Sequence, residues 1–152
     1  MESQFKPSDD GYEAKVRDSF NRQEIMKTVN ASILSIQPGE VKLEFPYQTN
    51  LTQQHGFIHA GIVATVLDSA CGYAAFSLMP KGAAVLSIEF KINFLSPAKG
   101  KRFQAVGTVK KPGRNITVTE GELFVHVDGG QKLVTTMVGT MMSVYDREGI
   151  EN

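Results

Sequence analysis

Two features of the sequence have residue types and spacing suited to chemistry. Asp68 stands near the middle of AGIVATVLDSACGYAAFSLM, residues 60–79, a stretch that is otherwise mostly apolar. Its neighbours at helical spacing are Ala64, Thr65, Cys71 and Gly72, and none of them offsets its charge. An unpaired carboxylate is costly to bury and tends to take up a proton. Such groups are kept mainly where a task needs them. An aspartate at the solvent edge of a helix, or one paired with a distant Lys or Arg, fits the pattern equally well. The second feature is Gln53-Gln54-His55-Gly56-Phe57-Ile58-His59-Ala60-Gly61, just before the apolar stretch. The first N–H groups of a helix lack partners and sit at a positive dipole end. Small residues there let a ligand approach the backbone, as the oxyanion of an acyl transfer requires. An ordinary helix start packed with small residues looks the same.

The elements that must position these residues follow from periodicity. Residues 8–29 read as a surface helix, with Val16, Phe20, Ile25 and Met26 as a loose apolar stripe. Segments 33–36 and 41–45 read as strands joined through Pro38-Gly39, which suits the centre of a type II turn. The apolar helix spans about 59–79 and ends at Pro80 and Gly82. In 86–94, Leu86, Ile88, Phe90, Ile92 and Phe94 alternate with Ser87, Glu89, Lys91 and Asn93, which predicts a strand with one buried face. On this reading Ser87 shares the polar face with Glu89 and Lys91. Further strands are expected at 101–110, 115–127 and 133–145, with turns at Pro112-Gly113 and Asp128-Gly129-Gly130. Three or four of these make a meander after the helix. The layout is α+β, an antiparallel sheet wrapped around one long central helix. A single sheet covers one side of a helix this apolar, so a partner subunit is expected to cover more.

Bulk properties narrow the function classes. A chain of 152 residues suggests one domain. Sixteen basic and sixteen acidic residues give no net charge, which argues against a nucleic-acid partner. A lone cysteine, Cys71, rules out a disulfide framework within the chain and fits a reducing, cytoplasmic setting, as does an N-terminus without signal-peptide character. Asp68 near the centre of the apolar stretch, without Lys or Arg in 49–59, argues against a membrane span. His55, His59 and Asp68 lack a further ligand at metal-binding spacing, so no metal is expected. Cys71 has no basic neighbour and reads as a small buried hydrophobe.

Taken together, the motifs resemble those of the phenylacetate-pathway (PaaI-type) hotdog thioesterases over about residues 30–145. His59-Ala60-Gly61 stands where that family has His-Gly-Gly, and Asp68 follows the His by nine residues, as in the family. Gln53 falls six residues before His59, at the family's Asn or Gln. Ser96-Pro97-Ala98-Lys99 matches the end of a family strand, which aligns Ser87 with a catalytic-site hydroxyl. Ala60 departs from the usual Gly but keeps the N–H.

The resemblance implies a hotdog fold over 30–145, with 1–29 as an N-terminal helical extension packed on it and 146–152 as a tail. It implies hydrolysis of acyl- or aroyl-CoA thioesters. Asp68 would be general base or nucleophile, Ala60 N–H the oxyanion donor, and Gln53 a holder of the carbonyl or water. Ser87 would orient Asp68 or the water, His59 would fix the loop, and Gly61 would admit the substrate. No cofactor is implied, since coenzyme A is part of the substrate. Homodimers, often paired as dimers of dimers, are implied as well. Lys99, Lys101, Arg102, Lys110, Lys111 and Arg114 make 99–114 basic, either as a solvated hairpin or as a patch for coenzyme A phosphates, with Arg114 after the Pro-Gly turn as its leading candidate. Phe57, Tyr73, Phe76 and Phe94 are candidates for an acyl pocket or for the core. A non-catalytic acyl-CoA-binding module on the same fold is the alternative.

Overall fold

The computed structural model describes residues 4–152. The chain runs α1 (Tyr12–Arg22), α2 (Glu24–Thr28), β1 (Ser32–Gln37), β2 (Glu40–Pro46), a single 3-10 turn (Thr49–Leu51), α3 (Ala60–Phe76), β3 (Ala84–Phe94), β4 (Arg102–Lys111), β5 (Ile116–Val127) and β6 (Gly130–Val144). The six strands form one antiparallel sheet in the order β1-β2-β4-β5-β6-β3. The sheet curls around α3, which is the hotdog arrangement and an α+β fold.

Alternation along the strands builds the inner face. Val41, Leu43 and Phe45 of β2, Phe103 and Ala105 of β4, Leu123 and Val125 of β5, and Met137 and Met141 of β6 are buried around α3. Two glycines set how close the helix comes. Gly107 and Gly121 are cross-strand partners on β4 and β5. A Cβ at Gly107 would lie 2.3 Å from the Ala70 carbonyl, and one at Gly121 would lie 2.9 Å from Cys71 Sγ. The paired glycines form a trough that seats Ala70 and Cys71, immediately after Asp68.

Four expectations from the sequence are corrected or narrowed. The N-terminal helix is broken at Gln23, whose backbone is extended (ψ 101°), and the corner lets both Phe20 and Met26 reach the core. The central helix stops at Phe76, before Pro80. Ser77 Oγ donates to Ala74 C=O at 2.7 Å and accepts Gly39 N–H at 2.8 Å, which ends the helix and ties it to the β1–β2 turn. Of the three- or four-strand meander expected after the helix, the structure has the three-strand form. β4, β5 and β6 make it, and β3 lies beyond β6, because residues 95–101 carry the chain across the start of α3 to reach β4, with Ile58 N–H bonded to Ala98 C=O at 3.0 Å.

The fourth correction concerns the face of β3. Ser87 pairs with Met141, while Glu89 pairs with Thr140, so Ile88 is an extra bulged residue. Direct cross-strand partners share a face. Ser87 therefore lies with buried Met141 on the helix side, together with Phe90 opposite buried Gly139, and Glu89 and Lys91 lie outside. The apolar residues of β3 are not a buried face within the chain either, for Leu86, Ile88, Phe90 and Phe94 are exposed on this edge strand.

Candidate active site

Both candidate features lie on α3. At its start, His59 is the N-cap, and its Nδ1 accepts the Gly61 N–H at 2.8 Å. The ring thus carries its proton on Nε2 and acts on the backbone, which is the ordinary work of a cap. Gly61 N–H is thereby engaged. Ala60, one residue earlier and exposed, offers an N–H with no acceptor among the described residues. That donor points out of the positive end of a 17-residue helix. Gln53 organises the approach. Its N–H bonds Phe57 C=O at 2.9 Å and its Oε1 accepts the N–H groups of His55 and Phe57, so the amide NH2 remains as its outward donor.

Asp68 sits midway along α3, half-buried, on the stripe with Gly61, Ala64 and Thr65 that the sheet leaves uncovered. Ser87 Oγ donates to Asp68 Oδ1 at 2.6 Å and lies 3.4 Å from Met141 Sδ. The β3 bulge is what turns the hydroxyl towards the carboxylate. Among the described residues Asp68 has no ion-pair partner, and Arg22, in the wall of the adjoining cavity, pairs instead with Asp18 at 3.5 Å. Asp68 divides two hollows. A cavity of about 290 Å³ lies towards α1 and includes Ser19, Gln23, Gly72, Tyr73, Ser87 and Asn152. A cleft of about 310 Å³ opens on the other side, between Gly61, Thr65, Ile25 and Phe90.

The remaining candidates are dispersed. Arg114 borders a separate cleft of about 670 Å³ beyond the end of α3, with Lys6, Met79 and Tyr145. The basic residues of 99–114 do not form one patch. β4 separates Lys99, Lys101 and Arg102 from Lys110, Lys111 and Arg114 by about 30 Å. Arg102 pairs with Glu44 and Lys110 with Glu120. Cys71 is fully buried, and burial pushes its thiol up to about 12. Tyr73 reaches the Asp68 cavity, Phe76 packs under Lys15 in the core, and Phe94 lies exposed on β3. Ser19, Gln23 and Asn152 of the terminal segments reach the cavity beside Asp68, and nothing in their local sequence marks them.

An antiparallel sheet wrapped on a central helix is the hotdog fold, and here the helix carries an acid at its middle and a bare N–H at its start. The thioesterase superfamily profile matches residues 55–130, half of the chain. A thioesterase family protein from Silicibacter pomeroyi, solved by crystallography, is 56% identical, covers 89% of this chain and 99% of its own, and superimposes with a TM-score of 0.87. Human acyl-coenzyme A thioesterase 13 is 29% identical over 93 residues, 60% of this chain and 66% of that protein. The PaaI protein of the Escherichia coli phenylacetic acid degradation operon shares the fold at 21% identity, covering 88% of this chain and 93% of its own, with a TM-score of 0.79. The chain belongs to the thioesterase superfamily and is a thioester hydrolase, as the PaaI-type resemblance implied.

Proposed function

We propose that the protein hydrolyses acyl thioesters of coenzyme A at a site shared between two copies of the chain. The observation that carries this reading is the Asp68 carboxylate, held by Ser87 at 2.6 Å and facing two hollows. The likeness to acyl-coenzyme A thioesterase 13 supports coenzyme A as the thiol. Asp68 takes a proton from water as the water oxygen attacks the carbonyl carbon. The oxyanion accepts a hydrogen bond from Ala60 N–H, and collapse breaks the C–S bond. The thiolate leaves readily, since a thiol has a pKa of about 8.5, and collects the proton from Asp68. In the alternative course Asp68 Oδ attacks the carbonyl and water then hydrolyses the mixed anhydride. A single turnover in H2¹⁸O followed by mass spectrometry identifies the second course when water opens the anhydride at the Asp68 carbonyl carbon, because only then does label enter the carboxylate.

Geometry argues for sharing. Ala60 and Asp68 are eight residues apart on α3, about 12 Å along its axis. Each must come within about 3 Å of the reacting atoms. One side chain cannot span that gap, so the Ala60 N–H of one copy would meet Asp68 of the other. The 11-residue open edge of β3 and its exposed Leu86, Ile88, Phe90 and Phe94 suit a second copy, and dimers would pair further into tetramers. Gln53 would hold the acyl carbonyl or the water, His59 would keep the loop in place, and Gly61 would give the substrate room. Arg114 would meet coenzyme A phosphates at the mouth of its cleft. No cofactor is required by this chemistry. Among the described residues no helix is long and apolar enough to cross a membrane, and we place the enzyme in the cytoplasm, where the free Cys71 thiol stays reduced. The test is release of free thiol from a panel of acyl-CoA thioesters. Turnover that Asp68→Asn removes supports the reading, and binding without turnover in the wild type contradicts it.

A further inference from the structure

Gly72 is buried in the interior of α3, where glycine is less favourable than alanine. Close packing does not explain it. A Cβ at Gly107 or Gly121 would strike the helix, but a Cβ at Gly72 would meet nothing within 4 Å. The open space is the 290 Å³ cavity that also reaches Asp68 and Ser87. Gly72 lies four residues after Asp68, so both face the same side of the helix.

The far wall of this open hollow is polar, with Arg22 and Glu151 in it, and is held by hydrogen bonds. Asn152 Oδ1 accepts the Val85 N–H at 3.0 Å, and Asn152 Nδ2 donates to Ser19 Oγ at 3.4 Å. Ser19 and Tyr73 share a hydroxyl hydrogen bond at 3.3 Å. The volume is about twice that of an engineered cavity that accepts benzene. A compact group therefore fits. A long alkyl chain would have to displace Asn152 and leave Val85 N–H without its acceptor, a cost for a part-buried donor.

We propose that this cavity receives the acyl group of the thioester, with Gly72 setting its depth and Asn152 closing its end, so that compact acyl groups are preferred to long chains. The inference rests on the thioesterase site argued above. The experiment compares wild type, Gly72→Ala, Gly72→Leu and Asn152→Ala on acetyl-, hexanoyl- and decanoyl-CoA, and measures binding of the corresponding non-hydrolysable S-alkyl-CoA thioethers by calorimetry. The wild type should favour acetyl and hexanoyl over decanoyl. Gly72→Leu should lower kcat/KM for hexanoyl-CoA about tenfold more than for acetyl-CoA, the scale on which pockets discriminate added carbons. Thioether affinities should fall in the same order. Gly72→Ala should give a smaller graded loss together with a raised Tm, which keeps the test decisive if the leucine variant does not fold. Asn152→Ala should shift the preference towards decanoyl. Equal losses at every acyl length, or a wild type that prefers decanoyl, would overturn the proposal. Should no thioester be hydrolysed while the thioethers show the size-dependent loss, the pocket stands and the hydrolytic reading falls.

Discussion

At the scale of single residues, the proposed chemistry rests on how Asp68 is held. A carboxylate that accepts a 2.6 Å hydrogen bond keeps one oxygen fixed and the other available. Asp68→Asn should lower kcat by about 10²–10⁴, the usual contribution of a positioned base, with an unchanged circular dichroism spectrum. Ser87→Ala leaves the carboxylate in place but free to rotate, and should cost about ten- to a hundredfold in kcat, since hydrogen bonds to charged groups contribute roughly 1.5–3 kcal/mol. Wild-type turnover in Ser87→Ala would mean that the hydroxyl serves only the strand. Cys71 should take no part. With its thiol pushed up to about 12, native protein at pH 8 should react with a thiol reagent about a thousandfold more slowly than an exposed cysteine, and unfolding should restore the rate. Rapid labelling of the folded enzyme would show that the helix opens at this point.

At the scale of elements, α3 and β3 must be brought together in one register. The Gly107–Gly121 trough presses α3 against β4 and β5 directly after Asp68. Gly107→Ala should force the helix away and cost about 1–3 kcal/mol in denaturant unfolding, with a parallel loss of kcat. Full stability in that variant would mean that the helix position is slack. The spacing of His59, Ala60 and Asp68 was legible in the sequence, because a cap and an acid on one helix are separated by a fixed number of residues. Strand existence was legible too, from alternation. The bulge at Ile88 was not, since one extra residue leaves the local alternation intact and shows only against the partner strand β6. The family resemblance aligned Ser87 with a site hydroxyl, while alternation along the strand put it on the face with Glu89 and Lys91. Nor was the break at Gln23 visible, for it serves contacts with Ser69 and the core that are remote in sequence. The place of β3 beyond β6 and the arrival of Asn152 beside Asp68 are likewise non-local, and no nearby residue signals them.

At the scale of the molecule, the shared site we propose needs two chains. The open edge of β3, the uncovered stripe of α3 and the roughly 12 Å between Ala60 and Asp68 all ask for a second copy. Sedimentation should find no stable 16.6 kDa monomer at micromolar concentration. Complementation tests the shared site most directly. Ala60 is the first helical position, where proline is well tolerated, so Ala60→Pro removes the single N–H without breaking α3. Ala60→Pro and Asp68→Asn homodimers should each be folded and inactive. Once their subunits are exchanged, a mixed dimer holds one pair of intact groups, Ala60 from one chain and Asp68 from the other. It should regain about half the activity of the wild-type dimer, as one of two symmetric sites is restored. Subunit exchange verified by mass spectrometry with no return of activity would contradict a site built from two chains.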